Sequence, residues 1–163
     1  MGKFLFTILL CLGFVAPAFG GKHKVPPDEP IVTVEVPDKW KTTECGEHIE
    51  AISPDGTVSF LVMPAEAKKI NEAMGEAMRY LRNKDGITVK AESVKREEGQ
   101  LNGMDVKHVS WQGKNQKGDV KINFKIMSVP EGKPLIVVYW ASSEAEKKHQ
   151  KELNKMLQSI TRI

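Results

Sequence analysis

Two short segments hold residues whose types and spacing could bind a metal or attack a substrate. The first is Gly21-Lys22-His23. In a chain that begins at Gly21, the free α-amine, the amides of Lys22 and His23 and the His23 imidazole form four nitrogen donors. Cu(II) and Ni(II) favour that set in a square plane. Against it stands the plainer reading of His23 as one polar residue in a solvated tail. The second segment is Glu44-Cys45-Gly46-Glu47-His48. Cys45 and His48, three apart, supply two ligands for Zn(II) or Cu(I). A structural zinc site needs four, usually in two such pairs. The other histidines, His108 and His149, are read on a strand and on a polar helix face, so spacing does not bring them to the pair.

The same segment reads as a nucleophile, Cys45, with His48 as its base. A cysteine hydrolase would also need an orienting group and an oxyanion hole, and the sequence offers neither. Glu44 and Glu47 could act as paired carboxylates, but only their separation in space would give that meaning. Trp40, Trp111 and Trp140 could stack a sugar or an aromatic ligand. Tryptophan is more often part of the core or its edge. There is no glycine-rich phosphate loop and no basic–aromatic stripe for nucleic acid. These residues predict a protein that is not an enzyme and needs no cofactor, with copper or zinc as the candidate exceptions.

The N-terminus sets the expected compartment. Lys3 precedes an apolar run from Phe4 to Val15, and Ala16, Pro17, Ala18, Phe19 and Gly20 follow. A basic start, a short apolar stretch and small residues at the cut describe a cleavable signal peptide over residues 1–20. The run is too short to span a bilayer as a helix, so no transmembrane segment is expected after its removal. Cleavage after Gly20 or after Ala18 fits. Loss of Lys3 leaves a net charge of +2, too weak a field to draw in nucleic acid or anionic lipid. Cys11 leaves with the signal. Cys45 is then expected to be buried, reactive, or paired between chains in a homodimer.

Residues 21–30, rich in proline and lysine, read as a flexible lead, and residues 31–163 as a single globular domain. Val32, Val34 and Val36 alternate with Thr33 and Glu35 to make a strand that ends at Pro37. Strands over 47–53 and 57–63 flank the turn Ser53-Pro54-Asp55-Gly56. Residues 65–83 switch to helical period, with Ile70, Ala73, Met74, Ala77, Met78 and Leu81 on one stripe. A strand from Ile87 to Arg96 is joined through Asn102-Gly103 to Met104–Trp111 as a hairpin. Val120, Ile122, Phe124 and Ile126 alternate with Lys121, Asn123 and Lys125, which predicts one buried and one wet face. Leu135–Ala141 reads as a central strand. Ser143 and Glu146 form a capping box ahead of a last helix that buries Leu153, Met156, Leu157 and Ile160. The order βββ-α-ββββ-α predicts an α+β fold, a mainly antiparallel β-sheet with two amphipathic helices packed on it.

The Pro37-Asp38-Lys39-Trp40 entry, the Ser53–Gly56 turn before an apolar strand, the Asn102-Gly103 hairpin and the Ala141-Ser142-Ser143-Glu144 exit into an amphipathic helix carry a resemblance. Over residues 31–163 this sequence resembles the PsbP/Mog-like fold. That fold is shared by extrinsic photosystem II proteins, Mog-type Ran-binding proteins and exported bacterial relatives of the DcrB type. The resemblance implies an accessory or binding role rather than catalysis. None of that family's functional residues is matched here, so none is carried over. The expectation is therefore an exported, periplasmic or extracellular binding module that engages another envelope or secreted protein through a contiguous apolar patch. A metal- or small-ligand-binding protein using Gly21, Lys22 and His23, or Cys45 and His48, is the alternative. A cysteine-dependent hydrolase is the weaker one.

Overall fold

The structure is a computed structural model that describes residues 18–65, 69–129 and 134–163. The strands are β1 (Ala18–Val25), β2 (Val32–Cys45), β3 (His48–Ile52), β4 (Val58–Pro64), β5 (Thr88–Val89), β6 (Lys95–Leu101), β7 (Met104–Asn115), β8 (Gly118–Met127), β9 (Leu135–Ala141) and β10 (Thr161–Arg162). The helices are α1 (Ile70–Asp85), α2 (Ser143–Lys148) and α3 (Gln150–Ser159). The strands form one sheet in the order β1-β2-β3-β4-β9-β8-β7, with β5 and β6 both on the far side of β7 and β10 against β2. Every pairing is antiparallel. The fold is α+β, as the element order predicts.

Helices cover both faces of the sheet. Ala73, Ala77 and Leu81 of α1 pack with Leu61, Phe124, Ile136, Val138 and Trp140. Leu153, Met156 and Leu157 of α3 pack on the opposite face with Val34, Trp40, Phe60, Val137 and Tyr139. The apolar stripes read from the sequence are the stripes that meet the sheet. Each large side chain fully buried there contributes about 1.5–3 kcal/mol. Helix α1 ends at Gly86, whose left-handed backbone (φ 62°) lets its N–H reach the Arg82 carbonyl, a C-terminal arrangement that favours glycine. The buried Glu50 carboxylate of β3 pairs with Lys84 and ties α1 down.

Four expectations need correction. Residues 21–25 are not a mobile lead, because Ala18–Val25 is a strand paired with β2. Pro37 does not end the second strand, which runs on to Cys45. The register between β1 and β2 breaks there, from Phe19↔Lys41 to Gly21↔Val36, and a break of this kind is where a sheet tolerates proline. Gly20 lies so close that a Cβ on it would sit 2.3 Å from the Asp38 Cα. The 87–96 strand is two pieces, β5 and the start of β6, separated by a 3₁₀ turn at Ala91–Ser93. The last helix is also two, broken at His149 and capped by Ser142 rather than Ser143, with the Ser142 hydroxyl accepting from the Ala145 N–H.

The break at His149 has a visible cause. Its buried ring stands edge-on to Trp40, with centroids 5.7 Å apart, and its Nε2 donates to Asp55 Oδ2 at 2.9 Å. The same oxygen accepts from Lys148 Nζ at 2.8 Å. Oδ1 accepts from the Ser53 hydroxyl at 2.7 Å and the Thr57 hydroxyl at 2.6 Å. One carboxylate thus joins the β3–β4 turn to the α2–α3 junction. These bonds, that from Lys148 foremost, hold the Asp55 carboxyl well below the usual carboxylate range. A carboxylate lowered in the folded state stabilises it above the unfolded pKa near ~4, and that contribution is lost as pH falls further. Asp55→Asn is expected to cost about 1–2 kcal/mol at pH 7 and to flatten the loss of stability below about pH 4. Urea denaturation at pH 7 and pH 3 checks both; an unchanged acid limb would contradict the assignment.

Candidate functional site

His23 is buried. Its Nε2 donates to the Gly20 carbonyl at 2.9 Å, and its Nδ1 lies 3.1 Å from Glu44 Oε1. Gly21, Lys22 and His23 are strand residues opposite Val36, Glu35 and Val34. Ligation of copper by their amides would therefore compete with the ladder. Cys45 and His48 face each other across the two-residue turn at Gly46-Glu47. In the full-length chain Cys45 is disulfide-bonded, and a sulfur in that state is neither a thiolate nucleophile nor a metal ligand; a chain that begins at Gly21 has lost Cys11, the other cysteine of the sequence. The His48 ring instead meets Tyr80 edge-on at 5.5 Å. Burial, and then the Lys84 charge, lower the His48 pKa. Among the described residues no three His, Cys, Asp or Glu side chains converge to hold a metal. Trp40, Trp111 and Trp140 are all buried in the cores, as read. The Trp140 indole N–H donates to Asp85 Oδ2 at 2.7 Å.

A more developed site lies where the sequence shows only an alternating strand. Glu97 of β6, His108 of β7 and Lys125 of β8 stand in one row across the sheet. Asn123 and Tyr139 are opposite each other on β8 and β9, on the same face. Helix α2 lowers Glu146 onto that face, and its Oε1 accepts from Lys121 Nζ at 3.1 Å and from Asn123 Nδ2 at 3.3 Å. Asn123 Oδ1 lies 3.3 Å from His108 Nε2, and Glu97 Oε2 lies 3.6 Å from His108 Nδ1. Asn123 and Glu146 are buried, so these bonds satisfy groups that would otherwise be costly to bury.

Lys125 has no such partner: among the described residues it makes no hydrogen bond or ion pair, and burial lowers its pKa against the opposing pull of Glu97. Burial, and then the Lys125 charge, lower His108 as well. Burial first and Glu146 second push Tyr139 up to about 12. Perturbed groups gathered beside a cavity are a mark of functional sites. Here the cavity is a cleft of about 280 Å³ between α3 and β6–β8, walled by Leu101, Val106 and Leu157 with Lys125, Asn154 and Gln158 as polar lining. A second cleft of about 650 Å³ opens on the other face of β6, between it and the start of α1, and includes Arg96, Lys107 and Met74. His108 borders both clefts.

No protein-family model and no curated protein matches the chain. Solved structures do. LpqN, involved in cell envelope biogenesis of Mycobacterium tuberculosis, superposes with a TM-score of 0.56 at 11% identity, over 88% of this chain and 91% of that one. The cyanobacterial PsbP of Synechocystis gives 0.56 at 10%, over 95% and 99%. The Saccharomyces cerevisiae Ran-binding protein Mog1p gives 0.50 at 10%, over 87% and 94%. The chain has the PsbP/Mog-like fold. It also spans about half the length of a larger Bacteroides thetaiotaomicron protein (TM-score 0.57, 13% identity, 88% of this chain and 48% of that one).

Within the PsbP/Mog-like sheet, the α3 cleft lies at the β6 end, far in strand order from the Cys45–His48 turn. Lys121, Asn123 and Lys125 alternate as a wet face does, which predicts solvent there, but α2 and α3 cover that face too. The unpaired Lys125 makes a prediction. In a Lys125→Met variant the His108 midpoint should rise, because the repulsive charge is gone, and stability at pH 7 should hold or increase by up to about 1 kcal/mol. NMR titration of the His108 ring and urea denaturation measure both. A fall in the midpoint would contradict this account of the row.

Proposed function

We propose that this chain is an exported, non-enzymatic binding or accessory protein whose partner is another envelope or secreted protein, engaged along β6 and its clefts. The observation that carries this reading is the site itself: β6 is seven residues long, almost wholly exposed, paired only with β7 among the described residues, and flanked by a cleft on each face. An apolar docking patch was the expectation, but among the described residues only Phe19 and Ile163 are large, apolar and exposed. The recognition surface is therefore taken to be polar.

Export rests on the signal-like residues 1–20, most of which lie outside the described residues. Cleavage after Gly20 would remove the carbonyl that accepts from His23 Nε2 and keep Gly21–Val25 on β2. The register break separates Ala18↔Thr42 and Phe19↔Lys41 from the run Gly21↔Val36 to Val25↔Val32, so the cut would remove the short piece and the exposed Phe19 while leaving the longer one. No helix among the described residues is long and apolar enough to cross a membrane. LpqN is described as involved in cell envelope biogenesis and Mog1p as Ran-binding. A shared fold does not transmit function, and these roles serve here only as examples of binding and envelope work on such a frame.

Two measurements test the reading. Intact mass of the protein isolated from its own host should correspond to a chain beginning at Gly21; a full-length mass in the cytosol would overturn export. A photo-crosslinking residue at Gln100 should trap one envelope or secreted protein, while the same residue at Lys151 on the exposed side of α3 should not. Equal trapping at both positions, or none at Gln100, would remove the β6 site.

A further inference from the structure

We infer that β6 receives an extended segment of the partner as an added antiparallel strand, with a large apolar residue seated over Gly99 in the α3 cleft. This rests on the binding role proposed above and names how the partner is held. Main-chain hydrogen bonds along a free edge, with pockets for alternate side chains, are the logic of strand addition.

The first support is alternation. Along β6, Glu97, Gly99 and Leu101 share the α3 side of the sheet with His108, Val106 and Met104, while Arg96 and Glu98 share the α1 side with Val109 and Lys107; Glu97 and Glu98, between the two, line both clefts. Residues directly opposite across an antiparallel pair share a face, so successive side chains of an added strand would enter the two clefts in turn. The second support is Gly99. Its backbone is ordinary extended strand, so no turn or left-handed conformation asks for glycine there. A Cβ built on it meets nothing within 4 Å. Glycine inside a strand weakens it and often marks the approach of a ligand or another backbone. The open volume beside it is walled by Leu101, Val106 and Leu157.

The charges select the occupant. Lys95-Arg96-Glu97-Glu98 resists casual pairing, as charged edges do. A second copy of this chain is a poor occupant. A two-fold register centred on Arg96, Glu97 or Glu98 sets that residue against its own like charge, and one centred on Gly99 sets Glu97 against Leu101. A segment with apolar residues opposite Leu101 and Gly99, basic ones opposite Glu98 and Glu97, and acidic ones opposite Arg96 and Lys95 is complementary at every position.

The probe is the acetylated, amidated peptide Val-Thr-Phe-Lys-Lys-Glu-Glu, added to the processed full domain and followed by amide NMR. Binding should shift β6 amides and slow their exchange. Swapping the Lys and Glu pairs in the peptide should weaken binding about tenfold, as should Gly99→Phe, whose ring fills the cleft. Glu97→Lys with Glu98→Lys should restore binding to a peptide carrying Glu-Glu in place of Lys-Lys, which keeps the test decisive should Gly99→Phe fold poorly. No β6 response, or equal affinity for the charge-swapped peptide, overturns strand addition. If that happens while Gln100 still traps a partner, the binding role stands and only this mode falls. Self-association of the domain through β6 in sedimentation would also overturn it, assigning the edge to a second copy.

Discussion

The structure depends on a sheet that is covered on both faces, and strand β9 shows why. All seven residues of Leu135–Ala141 are buried. Leu135, Val137, Tyr139 and Ala141 belong to the core beneath α3, and Ile136, Val138 and Trp140 to the core beneath α1. One strand thus feeds two cores by simple alternation, with β4 and β8 saturating its backbone on either side. A central strand of this kind cannot carry a polar residue cheaply. Any polar side chain its neighbours turn inward must bring its own partner.

That constraint explains the organisation of the candidate site. β8 alternates as an ordinary amphipathic strand, but its polar face lies under α2 and near α3. Asn123 is satisfied by Glu146 and His108, and Lys121 by Glu146. Lys125 is the next residue on that face, beyond the reach of α2, where the helical cover gives way to the cleft. Its charge is disfavoured by burial, is offset only in part by Glu97, and makes no ion pair among the described residues. The cleft is therefore the margin of the second core, where covering elements run short and side chains chosen for a wet face are held half-dry.

How much of this was legible in the residues follows from the same physics. Periodic apolar positions placed α1, α3, β4 and β9, because burial against a sheet demands those periods. Turn chemistry placed the Ser53–Gly56 and Asn102-Gly103 reversals, and Asn102 does adopt the positive φ of 51° that such a turn requires. β1 was hidden because only Gly20, His23 and Val25 of Ala-Phe-Gly-Gly-Lys-His-Lys-Val turn inward, so no apolar alternation announces it. The α2–α3 break was hidden because its cause, the Asp55–His149 bond, joins residues 94 positions apart. The site was hidden for a related reason. A wet strand face and a face covered by a distant helix have the same sequence pattern, and only the third layer distinguishes them. Cys45 and His48 are close in sequence, yet the hairpin that makes them neighbours gives them separate partners.

The β6 edge is a different case, in which exposure itself carries information. A free edge in a sheet this large is a hazard, since any unpaired strand can template another. The four consecutive charges at its start answer that hazard by making indiscriminate pairing expensive. Proline or a bulge would have done so more simply, and would have closed the edge to every partner. Charges close it only to strands that do not match, because a complementary row turns the same repulsion into selectivity. Gly99 agrees with this: a packed side chain there would strengthen β6 and fill the cleft, whereas glycine leaves both backbone and volume open. An edge that is charged, long, unbulged and hollow beside its one glycine is better matched to selective pairing than to simple protection.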